Sequence, residues 1–138
     1  MPTKYVFGYW WSRYKAYSQD ELLDLANEFR SRKLPLDVMV IDMDWHHTYQ
    51  ASSRKFRRDE FGQNIGWTGY SWNRDLFPDP KGFLAELHRM NLKTSLNLHP
   101  ASGITQREDS YEAFVADYIS RTDDYDGPEG YVYKGGEL

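Results

Sequence analysis

The sequence predicts an α/β fold built on parallel strands. Strand-like and helix-like stretches alternate from Tyr5 to Ile119 in the order β-α-β-α-β-α. Such alternation implies parallel strands joined by right-handed crossovers. The run Val38-Met39-Val40-Ile41 is apolar without a break, as suits a strand buried on both faces beneath helices. Each helical stretch also opens on a capping residue: Ser18, Asp79 or Asp109.

The elements follow in order. Residues 5–11 are rich in aromatic side chains that favour a pleated surface and read as the first strand. Ser12 to Tyr17 is a loop. Ser18 and Glu21 form a capping box, and Leu22, Leu25, Ala26 and Phe29 make one buried stripe of the first helix. Arg30, Arg32 and Lys33 crowd its last turn, where the helix dipole favours cations, and Pro35 forbids continuation. The second strand is predicted at 37–45. A long polar connection runs from His46 to Gly66, of the kind that is usually functional or disordered. Asp79 caps the second helix, with Pro80 at its first position; Phe83, Leu84, Leu87 and Met90 form its apolar face, and Asn91 suits a left-handed end. The third strand is predicted at 93–99, with Thr94, Leu96 and Leu98 on one face and Ser95, Asn97 and His99 on the other. A third helix begins near Asp109, boxed by Glu112, with Tyr111, Phe114, Val115, Tyr118 and Ile119 on one stripe. Residues 122–138 carry breakers and no periodicity, and read as an irregular tail.

Bulk properties narrow the function. The 138 residues are the size of a single domain, 1–138. A 17% aromatic share offers rigid rings for flat polar ligands such as sugars, or for cores and interfaces. A net charge of −4 argues against nucleic acid as a partner; the basic run Arg54 to Arg58 reads as a solvated loop. The absence of cysteine removes disulfides, zinc thiolates and thiol nucleophiles. No long apolar run or signal-like start is present, so neither membrane spanning nor secretion is indicated. The compartment is otherwise open, cytoplasmic by default.

Five segments, in order, resemble glycoside hydrolase family 31, the α-glucosidase and α-xylosidase group. They are Phe7 to Tyr14, Pro35 to Trp45, Trp67 to Asn73, Phe77 to Pro80 and Asn97 to Ala101, and the likeness covers about residues 5–119. The resemblance implies the first three βα units of a (β/α)8 TIM barrel and retaining hydrolysis of α-linked sugars, with no cofactor and no metal. It implies that Asp42 grips hydroxyls of the sugar in the cleaved subsite, that Met43 lines this subsite, and that Asp44 sits close by. The family's nucleophilic aspartate ends the fourth strand and its acid/base lies further on, so no catalytic residue is assigned here. A barrel needs roughly 200–250 residues. The chain is therefore expected to be the amino-terminal part of a larger enzyme. Its open strand edges would meet the remainder of the barrel or a second copy.

The site residues are weighed on their own chemistry. On an extended strand Asp42 and Asp44 point the same way, roughly 6.6 Å apart along the chain. That suits gripping two hydroxyls better than flanking a glycosidic bond from opposite sides. The plainer reading is that one or both cap a loop or pair with Arg13. Arg13, after the first strand, could orient these carboxylates, or face solvent. By alternation Trp11 shares a face with Tyr9 and Arg13 and is the pocket candidate, whereas Trp10 packs against helices and Trp45 joins the core. His99 could donate to a sugar hydroxyl or to Asp42. His46 and His47 raise a metal question but read as loop residues. Trp67, Tyr70 and Trp72 form either a substrate-side loop or a hydrophobic plug.

Two other readings stay open. Asp-x-Asp after an apolar strand also occurs in phosphohydrolases of haloacid-dehalogenase type, although Trp45 stands where they carry a small residue. A non-catalytic carbohydrate-binding module would instead require a closed fold of this size.

Overall fold

The computed structural model describes residues 1–48, 69–98, 104 and 108–121, with the backbone alone at 119 and 121. The expectations for Arg54 to Arg58, Trp67, His99 and the tail 122–138 lie outside the described residues. The chain divides into two compact units: Met1–Trp45 with Trp72–Asn97, and His46–Ser71 with Leu98–Leu138.

The first unit holds a parallel sheet of β1 (Trp10–Trp11), β2 (Val38–Ile41) and β3 (Lys93–Leu96) in the order β1-β2-β3. Trp10 pairs with Val38 and Trp11 with Met39; Val38 to Ile41 pair with Lys93 to Leu96. Helices α1 (Gln19–Ser31) and α2 (Pro80–Arg89) supply the crossovers.

Each strand is shorter than expected, and the backbone hydrogen bonds show why. Before β1, residues Lys4–Phe7 coil into a 3-10 turn in which the Gly8 N–H donates to the Tyr5 carbonyl at 3.0 Å. Beyond Ile41 the backbone turns at once: Met43–Trp45 is a second 3-10 turn, closed by Trp45 N–H donating to the Asp42 carbonyl at 3.0 Å. The last rung from β3 is Asn97 N–H to the Ile41 carbonyl at 3.0 Å.

The helix signals act as read. Ser18 Oγ accepts from the Glu21 N–H at 3.2 Å, and Glu21 accepts from the Ser18 N–H at 2.9 Å. Asp79 accepts from the Gly82 N–H at 3.0 Å, with Pro80 in the first turn. Asn91 takes a left-handed φ of 59°, and Leu92 N–H then reaches back to the Leu87 carbonyl at 3.0 Å. This is the Schellman ending, which satisfies carbonyls the helix leaves open. Helix α1 ends the same way on Lys33, φ 56°, with Leu34 N–H on the Phe29 carbonyl at 2.9 Å.

The core lies between sheet and helices. Leu22 and Ala26 from α1 meet Met39 and Ile41 from β2, Phe83 and Leu87 from α2, and Leu36, Trp45, Phe77 and Leu92. Trp45, Trp72, Phe77 and Phe83 form a chain of tilted and edge-on rings with centroids 5.0, 5.2 and 5.4 Å apart, the arrangement favoured by ring quadrupoles. Leu96 is 36% exposed; it belongs to an outer strand, where one flank has no neighbour in this sheet.

In the second unit, α3 spans Tyr111–Arg121. It begins two residues after the expected cap, and the Asp109 N–H is taken by Ser71 Oγ at 2.7 Å. Glu108, buried, accepts from the Tyr70 N–H at 3.4 Å. Phe114 and Tyr118 stack with centroids 6.3 Å apart and stay exposed, so the expected stripe is not a buried one at these two positions.

Candidate functional site

The site grows from the place where β2 stops being a strand. Val38 and Met39 are both buried, one on each face, as the apolar run requires. After Ile41 the chain passes into the Met43–Trp45 turn, with Asp42 just before the turn and Asp44 inside it. The expected alternation therefore does not hold. Asp42 directly follows the strand and Asp44 is within the turn, so their directions are set by the turn and not by a pleat.

Asp42 is half-buried and anchored on one side. Its Oδ1 accepts from the Met43 N–H at 2.8 Å and from Asn97 Nδ2 at 2.7 Å. Its Oδ2 has no hydrogen bond among the described residues. A carboxylate with one oxygen occupied and the other open is an oriented acceptor for a neutral donor. Asp44 is 1% exposed. Both carboxylates line a narrow cleft, too tight to enclose a water molecule, whose wall includes Lys15, Tyr17, Val40, Trp45 and Phe77.

The cationic neighbour is not the expected one. Arg13 is exposed and joins neither aspartate among the described residues. Lys15, two residues on, lines the cleft instead. Its Nζ lies 2.9 Å from Glu21 and 4.5 Å from the centre of the Tyr17 ring. Glu21 thus closes the α1 cap and holds Lys15 beside the cleft. Hydrogen bonds from the Ser18 backbone and from Lys15 hold its carboxyl below its ordinary range.

Trp10 and Trp11 lie elsewhere than expected. Trp11 is in register with Met39 and so shares its face. It packs on the core, edge-on to Tyr17 at 5.5 Å, and does not line the cleft. Trp10 shares the face of Val38, is 44% exposed, and donates its indole N–H to the Tyr5 carbonyl at 3.1 Å. Alternation was counted through a strand that begins only at Trp10, so it carried Tyr9 and Arg13 with it wrongly. Trp45 joins the core and donates its indole N–H to the Asn97 carbonyl at 2.8 Å. Trp72 packs on Trp45 and Phe77. Met43 is buried, spends its N–H on Asp42, and is not in the cleft wall. In the second unit His46 is fully buried, with Nδ1 2.9 Å from the His47 carbonyl. No group of three or more metal-ligating side chains occurs among the described residues, and no described helix is long and apolar enough to cross a membrane.

Lys15, Tyr17, Asn97 and Phe77 were missed as site residues. The available signal was positional: loops after parallel strands gather at their carboxyl ends, where α/β folds place ligands. Lys15 and Tyr17 occupy the loop after β1, and Asn97 directly follows β3.

Comparison with known proteins agrees with this architecture. Residues 1–133 match the glycosyl hydrolases family 31 TIM-barrel domain. The α-xylosidase of Saccharolobus solfataricus is 33% identical over 100 residues, covering 72% of this chain and 12% of that protein. The crystal structure of the family 31 α-xylosidase from Xanthomonas citri matches with a TM-score of 0.56 at 25% identity, over 83% of this chain and 10% of that one. A family 31 α-xylosidase from a soil metagenome, complexed with xylose, gives a TM-score of 0.57 at 21% identity, over 86% of this chain and 14% of that one. At 21% identity the likeness is one of fold. The chain thus spans a small part of the length of the relatives it matches. Neither the phosphohydrolase nor the binding-module reading finds support in these matches. A three-stranded parallel sheet with helical crossovers, a carboxylate-bearing turn at the end of its middle strand and a family match over nearly its whole length place this chain in glycoside hydrolase family 31, as part of that family's TIM barrel.

Proposed function

We propose that this chain supplies the sugar-binding edge of a retaining α-glycosidase, with α-xylosides as the first substrates to test. Asp42 accepts ligand hydroxyls on its open Oδ2, Asp44 backs it inside the turn, and Lys15 and Tyr17 line the same cleft. Bond cleavage falls to carboxylates on other strands of the same barrel, because retaining chemistry needs two carboxyls about 5–5.5 Å apart on opposite sides of the bond. Asp42 and Asp44 sit two positions apart at one strand end. The outer strands β1 and β3 are flanked in the complete barrel by further strands. The homologous enzymes named above suggest the xyloside; the single observation that carries the reading is the Asp42 carboxylate, fixed through Oδ1 and open at Oδ2 in a cleft.

The test is a titration of the chain with methyl α-xyloside and methyl α-glucoside, read by calorimetry or NMR, for wild type, Asp42→Asn and Asp42→Ala. Loss of one charge-assisted hydrogen bond corresponds to roughly a tenfold or greater rise in Kd. Equal affinity in all three proteins would remove Asp42 from the site.

A further inference from the structure

Asn97 touches both ends of the turn that carries the candidate site. Its backbone N–H closes the last rung onto Ile41 at 3.0 Å. Its Nδ2 donates to Asp42 Oδ1 at 2.7 Å. Its carbonyl accepts the Trp45 indole N–H at 2.8 Å. One residue of the neighbouring strand end therefore fastens Asp42 and Trp45, which bracket Met43 and Asp44.

The chemistry of the donor matters as much as its place. A carboxylate is free to rotate about its last torsion, whose wells are broad. A ligand that meets a rotating carboxylate must also freeze it, at a cost in affinity. The Asn97 amide and the Met43 N–H both donate to Oδ1. An oxygen has two lone pairs for such bonds, so Oδ1 is filled and an incoming hydroxyl is directed to Oδ2. A neutral amide does this without compensating the negative charge, as a lysine or arginine in the same place would. The amide's orientation is dictated as well, since its oxygen turned toward the carboxylate would repel it.

We infer that Asn97 is a positioning residue for sugar recognition, locking the Asp42 carboxylate so that Oδ2 faces the ligand hydroxyl. This rests on the reading of Asp42 proposed above.

The experiment uses the isotopically labelled 138-residue chain, titrated with methyl α-xyloside and followed by two-dimensional NMR. Four variants accompany the wild type: Asn97→Ala, Asn97→Ser, Asp42→Asn and Asp42→Ala. The Trp45 indole resonance is an internal control, because its partner is the backbone carbonyl of residue 97, which every side-chain substitution retains. Asn97→Ala is expected to raise Kd about tenfold, the equivalent of one well-formed hydrogen bond, with the indole resonance unmoved. Asn97→Ser, which keeps a donor, should recover part of that loss. If Asn97→Ala binds like wild type while Asp42→Ala does not, the positioning role is overturned and the sugar reading stands. If binding and the indole resonance are lost together in both Asn97 variants, Asn97 is a structural staple only, and the proposal fails. If the wild type binds no glycoside, or Asp42→Ala binds it unchanged, the sugar reading fails and takes this proposal with it.

Discussion

Replacing Trp45 by phenylalanine tests how the site turn is held. Trp45 is 6% exposed, packs edge-on to Trp72 at 5.0 Å, and gives its indole N–H to the Asn97 carbonyl at 2.8 Å. Phenylalanine keeps an aromatic ring against Trp72 but donates nothing. The lost hydrogen bond is worth about 1 kcal/mol, and a part-buried carbonyl left without its donor costs about 1–3 kcal/mol. Adding roughly 1–2 kcal/mol of packing for the smaller ring, a total of about 3–6 kcal/mol follows for this substitution. Trp72→Phe is the matched control. Trp72 packs between Trp45 and Phe77, and its indole makes no hydrogen bond among the described residues. It loses packing alone, and roughly 1–2 kcal/mol is expected. Thermal unfolding of both variants, followed by far-ultraviolet circular dichroism, gives the difference directly. A chain of this size loses roughly 4 °C of Tm per kcal/mol, so the two midpoints should separate clearly. Trp45→Phe no more destabilising than Trp72→Phe would refute the idea that the indole hydrogen bond fastens the turn.

Two further outcomes follow from the helix ends. Lys33 sits at φ 56° in the closing position of α1, a conformation in which a side chain costs about 1 kcal/mol and glycine almost nothing; Lys33→Gly should raise the urea midpoint modestly, and a lower midpoint would contradict the geometry. Glu21 has its pKa lowered, first by the Ser18 backbone hydrogen bond and then by Lys15. A depressed folded pKa means its contribution is present above the ordinary value of 4.5 and is lost as pH falls through the lowered folded value. Glu21→Gln should therefore flatten the acid limb of the stability–pH curve, and a curve of unchanged shape would count against the cap as described.

The barrel family reading changes what the exposed apolar groups mean. Phe7 is 79% exposed and Trp10 44% exposed beside β1, and Leu96 is 36% exposed on β3. In the three-stranded sheet both are outer strands. In a closed barrel no strand is an edge, which is the physical reason to study these substitutions also within a complete family 31 barrel.

Much was legible from residues near one another in sequence. Ser18 with Glu21, Asp79 with Pro80, and Asn91 act through backbone groups a few positions away, so their roles are written locally. The buried strand at Val38–Ile41 was visible because four successive apolar residues leave no polar face. The identity of the carboxylate-bearing strand end was visible for the same reason. What sequence could not decide were relations that depend on where a strand stops and what lies beside it. Counting alternation through residues 5–11 and 37–45 assigned Trp11 to the pocket and aligned Asp42 with Asp44. The strands begin at Trp10 and end at Ile41, where pairing with a neighbour runs out. Pairing is a tertiary event, and only it turned Arg13 away, brought Lys15 and Tyr17 to the cleft, and set Asn97 against Asp42 across 55 positions of chain.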